Sequence, residues 1–294
     1  MNMEYQNGTA SLEAALLLCA QQPDVRVLRR VGPIDRLVSD RPAWGNVRRI
    51  GVVDTEATST NAQTAELIDI AVAVLLVDAA GEIVGVERTL QSLRDPGAPI
   101  PAEVVKLTGI TDEMVAGRIL SQEKWARLLS GCDLLVAHNA SYDVPIVERF
   151  LPEIAGQAWA CSMRQIGWMD HGFDGAKLGH LLMQIGRFNN GHRVAADVIT
   201  LCHLLAHRDA NGRTLLAELL KAAARNTMRI DAKGTDFAVK DRLRERSYRW
   251  DPAGKAWWIE VCEDDVDEER RWLEFEIGCR KPVMTVMTAR TRFR

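Results

Sequence analysis

Residues 49–58 read Arg-Ile-Gly-Val-Val-Asp-Thr-Glu-Ala-Thr. Ile50-Gly51-Val52-Val53 is a short apolar run, the pattern of a buried strand. Asp54 and Glu56 follow it two residues apart. Side chains alternate along a strand, so both carboxylates share one face. Such a pair is costly on a buried strand unless a cation lies between the two groups. An isolated Asp-x-Glu is more often a solvated strand end or a cap, so the reading depends on what else the chain brings to the place.

Outward from this stretch, residues 67–77 form a longer, β-branched apolar run fit for a central strand. A turn at Ala79-Ala80-Gly81-Glu82 leads to a third strand at 83–90, making a meander. Residues 95–101 hold three prolines and read as loop. Helical pieces are expected at 102–107, 112–116 and 122–130. Another buried strand is expected at 134–137, ending at His138-Asn139. Helices then dominate to about residue 225, notably 141–150, 178–185 and 195–206. Strands alternating with helices predict an α/β fold.

The flanks differ from this core. Residues 1–45 read as an accessory helical segment: an amphipathic helix at 11–21, a basic stretch at 26–30, then loop around Gly32-Pro33 and Arg41-Pro42. Residues 46–228 form the main domain. Residues 234–294 read as a small separate α/β module holding four of the eight tryptophans. There a helix, a strand, a turn at Asp251-Pro252-Ala253-Gly254 and a second strand precede an acidic helix at 264–275. Lys240, Arg242, Arg244, Arg246 and Arg249 lie among Tyr248, Trp250, Trp257 and Trp258. Such interleaving can grip single-stranded nucleic acid, although tryptophans forming the core of a small domain are the commoner case.

The chain has 294 residues, 47% of them hydrophobic and 26% charged, with a net charge of -3. That is an ordinary globular composition. The apolar stretch at 14–20 is far short of a membrane span and has no preceding Lys or Arg, so neither a span nor a leader peptide is expected. Six scattered cysteines with no Cys-x-x-Cys pair argue for reduced thiols and a cytoplasmic protein, not for zinc or disulfides.

Three further groups can join Asp54 and Glu56. Asp143 falls just after a strand end, in the first turn of a helix, where the helix dipole favours a carboxylate. Asn139 precedes it and can position a backbone or substrate group. His192 lies in the loop after Asn189-Asn190-Gly191, and Asp197 in the first turn of the next helix. A histidine can take a proton near neutral pH. Each is ordinary alone. Together they supply hard oxygen ligands for two divalent cations and one base, which is what cutting a phosphodiester needs. His203 and His207, at i and i+4, lack a third ligand. His138 reads as a group supporting the site, or simply as a strand end.

Here the chain resembles the DEDDh exonucleases, the group containing the proofreading subunit of bacterial DNA polymerase III and ribonuclease T. The resemblance covers residues 49–206 and includes PGAPIPAEVVKLTGITDEMV at 96–115. It implies a ribonuclease H-like fold, a mixed β-sheet flanked by helices, and 3′ to 5′ removal of nucleotides as monophosphates. Carried over, Asp54, Glu56, Asp143 and Asp197 become ligands of two Mg²⁺ or Mn²⁺ ions, and His192 the general base. Ala57, Thr58, Asn139, Tyr142 and Arg193 become candidate substrate contacts. The family usually continues its first motif as Glu-Thr-Thr-Gly, whereas this chain has Glu56-Ala57-Thr58-Ser59. Tyr142 stands where Phe is commoner.

The function expected is a metal-dependent 3′ to 5′ exonuclease acting on single-stranded DNA, in proofreading or repair. The alternatives are an RNA 3′-trimming exonuclease and a nucleic-acid-binding or polymerase-associated subunit. The C-terminal module would then dock a polymerase or another protein, and a homodimer is a further option. No membrane partner is expected.

Overall fold

The computed structural model describes residues 3–191 and 193–294. Helix α1 (Met3–Ala20) opens the chain and begins earlier than its sequence suggested. Leu12, Leu17 and Leu18 are exposed, so the expected amphipathic helix does not bury its apolar side. Glu13 on this helix pairs with Arg29. Strand β1 (Arg29–Arg30) follows.

β2 (Arg48–Ala57), β3 (Leu67–Val77) and β4 (Ile83–Leu93) form the antiparallel meander. Helices α2 (Ala102–Thr108), α3 (Asp112–Val115) and α4 (Gln122–Ser130) lead to β5 (Leu134–Ala137), which lies parallel to β2. Asn139 turns the chain from β5 into α5 (Ala140–Phe150) with a left-handed φ of 75°, a conformation asparagine adopts more readily than most residues. β6 (Trp159–Cys161) adds parallel to β5, giving a mixed five-stranded sheet in the order β4-β3-β2-β5-β6.

Then follow α6 (Ser162–Gln165), α7 (Leu178–Gln184), β7 (Arg187–Phe188), α8 (Val194–Leu205) and α9 (Leu215–Ala224). β1 pairs with β7 and so ties residues 29–30 beside the segment that follows β7 at Asn189. Side-chain alternation divides the sheet into two faces. Ile50 and Val52 pack with Val194, Val198 and Leu201 of α8 on one side. Val53, Val72 and Val74 pack with Trp125, Val144 and Val147 of α4 and α5 on the other. β3 is buried along almost its whole length, as its unbroken apolar run requires.

A second, four-stranded antiparallel sheet has the order β11-β8-β10-β9. It comprises β8 (Thr227–Ala232), β9 (Arg249–Asp251), β10 (Ala256–Cys262) and β11 (Val283–Met287), with α10 (Lys240–Glu245) and α11 (Val266–Trp272) between them. This sheet begins at Thr227, ahead of the break at 228–234 read from the sequence. Ile230, Leu243, Tyr248, Trp257 and Leu273 form its core. After β11 the chain returns to the first sheet. The Trp159 amide donates to the Ala289 carbonyl (2.8 Å), and Arg294 donates to Glu148 and to the Gln157 carbonyl (2.9 Å), covering the β6 edge. Among the described residues no helix is long and apolar enough to cross a membrane.

The turn between β3 and β4 bears on α9. Gly81 sits there at φ 82°, and a Cβ on it would lie 2.6 Å from the Cα and Cβ of Ala217. Two of the three nearest atoms are Ala217 backbone, which has little room to yield. Gly81→Ala is therefore expected to cost about 2–4 kcal/mol, combining overpacking with left-handed strain. Urea unfolding checks this, and an unchanged midpoint would mean the turn repacks freely.

Candidate active site

The acidic groups meet at the end of β2. Ligand oxygens of Asp54, Glu56 and Asp197 lie within 4.8 Å of one another. β2 presents the first two on the face covered by α8, and the first turn of α8 delivers the third. A β-bulge between Glu56 and Ala57 ends the regular pairing with β3 here.

Asp143 arrives from the opposite face on α5. It is 2% exposed, and its Oδ1 accepts a 2.7 Å hydrogen bond from the Thr55 hydroxyl. It thus stands outside the three-carboxylate cluster but close enough that its charge raises the pKa of Asp54. His192, the fifth group expected at this site, lies outside the described residues.

The electrostatics are those of a cation site. Burial raises the pKa of Asp54 well above the usual carboxylate range, and Asp143, Asp197 and Glu56 push it further. Burial first, then Asp197 and Asp69, lifts Glu56 to about 7. Burial likewise lifts Asp143 to about 7, against the stabilising hydrogen bond from Thr55. The counter-charge comes from Arg193, which lowers the pKa values of Glu56 and Asp69. An oxygen-only donor set of this kind fits Mg²⁺ or Mn²⁺.

These shifts have a consequence for stability. Folded, the metal-free cluster holds its protons more tightly than the unfolded chain does. Its stabilising contribution is full below about pH 4 and is lost as the pH rises to about 7, where Glu56 and Asp143 ionise. For Glu56 alone the loss is about 3 kcal/mol. In EDTA the melting temperature of the wild-type chain should therefore fall between pH 5 and 7.5 more steeply than that of Glu56→Gln. Mg²⁺ should restore it most at the upper end. Parallel curves for the two proteins would show that Glu56 is not under this strain.

The expected substrate contacts separate on inspection. Ala57 is 5% exposed and packs in the core on the face opposite Asp54 and Glu56, so its side chain offers nothing to a ligand. The Thr58 hydroxyl accepts from the Glu66 amide (2.9 Å), bracing the loop. The Tyr142 hydroxyl donates to the Ser59 carbonyl (2.7 Å). The hydroxyl gained by having Tyr at this position thus anchors the segment whose sequence departs from the family pattern. Asn139 has a half-buried side chain beside the site, and Arg193 is exposed at the start of α8.

Two residues near the site had not been singled out. Thr55 was hidden between the two carboxylates. Asp69 is fully buried opposite Glu56 across β2 and β3, with Oδ2 accepting from Gln91 (2.7 Å) and Oδ1 unpartnered. An aspartate inside an otherwise apolar strand was the available signal. The remaining histidines are committed elsewhere. His138 donates from Nε2 to the Ala176 carbonyl (2.7 Å) and receives the Ser162 hydroxyl at Nδ1 (2.8 Å). His203 donates to the Gly32 carbonyl (2.9 Å), so it does not join His207 in a metal pair. His171 and His180 pair with Glu218 and Asp174.

The arginine stripe of the C-terminal module is largely neutralised. Arg242 pairs with Glu276 (2.6 Å), Arg244 with Asp241 (3.4 Å) and Arg246 with Glu269 (2.9 Å), while Tyr248 and Trp257 are buried.

The model of a family described as exonuclease, the RNase T family, matches residues 52–205. The epsilon subunit of DNA polymerase III from Aquifex aeolicus is 27% identical over 153 residues, covering 50% of this chain and 73% of that protein. A PolC-type DNA polymerase III from Listeria innocua is 38% identical over 102 residues, covering 33% of this chain. The chain spans only 6% of that polymerase's length. Among solved structures, exonuclease X in complex with 5′ overhanging duplex DNA aligns with 57% of this chain and 99% of its own, at 22% identity and a TM-score of 0.42. A full-length 3′-exonuclease aligns with 62% of this chain and 64% of its own, at 17% identity and a TM-score of 0.45.

Proposed function

The chain belongs to the RNase T exonuclease family, and from that membership we propose that it removes nucleotides one at a time from the 3′ end of single-stranded DNA. The observation that carries this reading is the convergence of Asp54, Glu56 and Asp197 within 4.8 Å, drawn from a strand and a helix far apart in sequence.

In this reading Asp54, Glu56 and Asp197 would hold the divalent cations. Asp143, fixed by Thr55, completes the set from the other face of β2. When bound, the cations neutralise charge on the reacting phosphate and bring water within reach of deprotonation near neutral pH. His192 takes the proton from the attacking water. Arg193 supplies positive charge beside the carboxylates, where a non-bridging phosphate oxygen would sit. Tyr142 and Thr58 fix the loop that receives the terminal nucleotide. The products are nucleoside 5′-monophosphates.

Matched 5′-labelled DNA and RNA strands, incubated with Mg²⁺ or Mn²⁺, test the reading. A ladder shortening from the 3′ end of DNA supports it. Faster shortening of RNA moves the assignment to RNA 3′-end trimming, and intact strands of both kinds overturn it. The similarity to an epsilon subunit of DNA polymerase III favours a second reading, in which the same nuclease works as a polymerase-associated subunit. Co-purification with a polymerase separates the bound enzyme from a free-standing one.

A further inference from the structure

We propose that the cleft between the two sheets binds the backbone phosphates of a single nucleic-acid strand running from the acidic cluster, an inference that rests on the nuclease function proposed above. The cleft encloses about 600 Å³. It is lined by Arg164 and Gln165 of α6, by Arg249, Trp258 and Glu260 of the C-terminal sheet, and by Arg292.

Two of its arginines lack the carboxylate partners that others nearby possess. Arg229, Arg242, Arg244 and Arg246 each meet a carboxylate at 2.6–3.4 Å. Arg164 and Arg249 have no ion pair or side-chain hydrogen bond among the described residues, yet they lie close enough for Arg249 to lower the pKa of Arg164, after the larger effect of burial. The one carboxylate that lines the cleft, Glu260, also acts on Arg164 but is hydrogen-bonded to Arg292 (2.7 Å), so Arg164 and Arg249 leave net positive charge that suits a shared anion. Arg292 points to the same ligand. It is 3% exposed, spends Nε on Glu260 (2.7 Å) and Nη2 on Thr227 (2.9 Å), and leaves a buried Nη1 unpartnered. Trp258 supplies an apolar wall, with the Arg249 guanidinium 5.7 Å from its ring centre. Charge with an aromatic wall is how single strands are held without sequence readout.

Sheet register places the cleft along the path of the substrate. Val52 is level with Val136 on β5, and Ala137 with Cys161 on β6. Asp54, His138 and Ser162 therefore stand level at one edge of three parallel strands, and the His138–Ser162 hydrogen bond joins the last two. Arg164 follows directly. Two strand spacings, about 10 Å, separate β2 from β6. A strand whose 3′ end lies among the carboxylates meets a cationic cleft a short way along its 5′ portion.

The test compares wild type with the double variant Arg164→Gln, Arg249→Gln and with Arg242→Gln as a paired-arginine control. Binding of 5′-fluorescein-labelled dT12 is measured by anisotropy in EDTA over a range of salt, beside hydrolysis of a dinucleotide in Mg²⁺. The double variant should bind dT12 about tenfold more weakly, and its slope of log affinity against log salt should flatten by about 1.4 for two lost phosphate contacts. Arg242→Gln should match wild type, and the double variant should hydrolyse the dinucleotide at the wild-type rate. Replacing both residues with Lys should recover most of the binding.

Unchanged affinity and slope in the double variant would overturn the proposal, as would a wild-type chain that does not bind dT12. Equal losses on dT12 and the dinucleotide would also overturn it, by moving the arginines to the reaction centre. A wild type that binds dT12 but hydrolyses neither substrate would instead count against the nuclease reading, leaving the binding comparison to decide the cleft.

Discussion

Asp54→Asn and Asp197→Asn are each expected to abolish hydrolysis while making the metal-free chain more stable. The rate should fall on the order of 10⁴-fold or more, as it does when one member of a catalytic group acting as a unit is removed. The opposite effect on stability has the same cause. Asp54 and Glu56 are pushed toward their protonated forms by burial and by the neighbouring carboxylates, Asp197 among them. Replacing one charged oxygen with an amide relieves that repulsion. The melting temperature in EDTA at pH 7.5 should rise by about 3 °C or more, and the gain on adding Mg²⁺ should shrink. Steady-state kinetics and thermal melting on the same preparations check both halves. A variant that loses activity because it melts early would count against this assignment, since the account requires inactivity with added stability.

His192→Ala is expected to lower kcat by about 10²–10⁴-fold, the usual contribution of a positioned general base. The residues on either side of it border the cluster. A Cβ on Gly191 would lie 3.7 Å from Oδ1 of Asp197, and the charge of Arg193 acts on Glu56 and Asp69. The pairing of β1 with β7 and the Asn189 hydrogen bonds to Ala196 (2.9 Å) and Thr200 (3.2 Å) hold this end of the loop against α8. The variant should keep its Mg²⁺ affinity, and its pH–rate profile should lose the acid limb that follows histidine protonation, leaving a rate that climbs with hydroxide. A profile with the limb intact and a rate near wild type would assign the proton to another acceptor.

The main sheet was legible because its strands are apolar runs: the boundaries at 67–77 and 134–137 read from the sequence coincide with β3 and β5. Alternation along β2 placed Asp54 and Glu56 on one face, where α8 brings Asp197. What could not be read was three-dimensional. Nothing in the chain announces that Asp143 reaches the site through Thr55, 88 residues away. Strand β8 escaped because it carries Arg229 and Asp231 in place of an apolar run, with their charges satisfied by each other (2.7 Å). The arginines of the C-terminal module looked like a nucleic-acid stripe because the carboxylates neutralising Arg242 and Arg246 lie 34 and 23 residues further on. Arg164 and Arg249, which have no ion pair among the described residues, come from a helix and from a strand of the second sheet, and no local pattern joins them.

The most direct test of the central claim is the order in which products appear from a single-stranded oligodeoxynucleotide in Mg²⁺, followed by chromatography from the first turnover. The account predicts nucleoside 5′-monophosphates from the outset, in 3′ to 5′ order, with none formed in EDTA or by Asp54→Asn. Internal oligonucleotide fragments appearing first, or monophosphate release that survives the loss of Asp54, would contradict it.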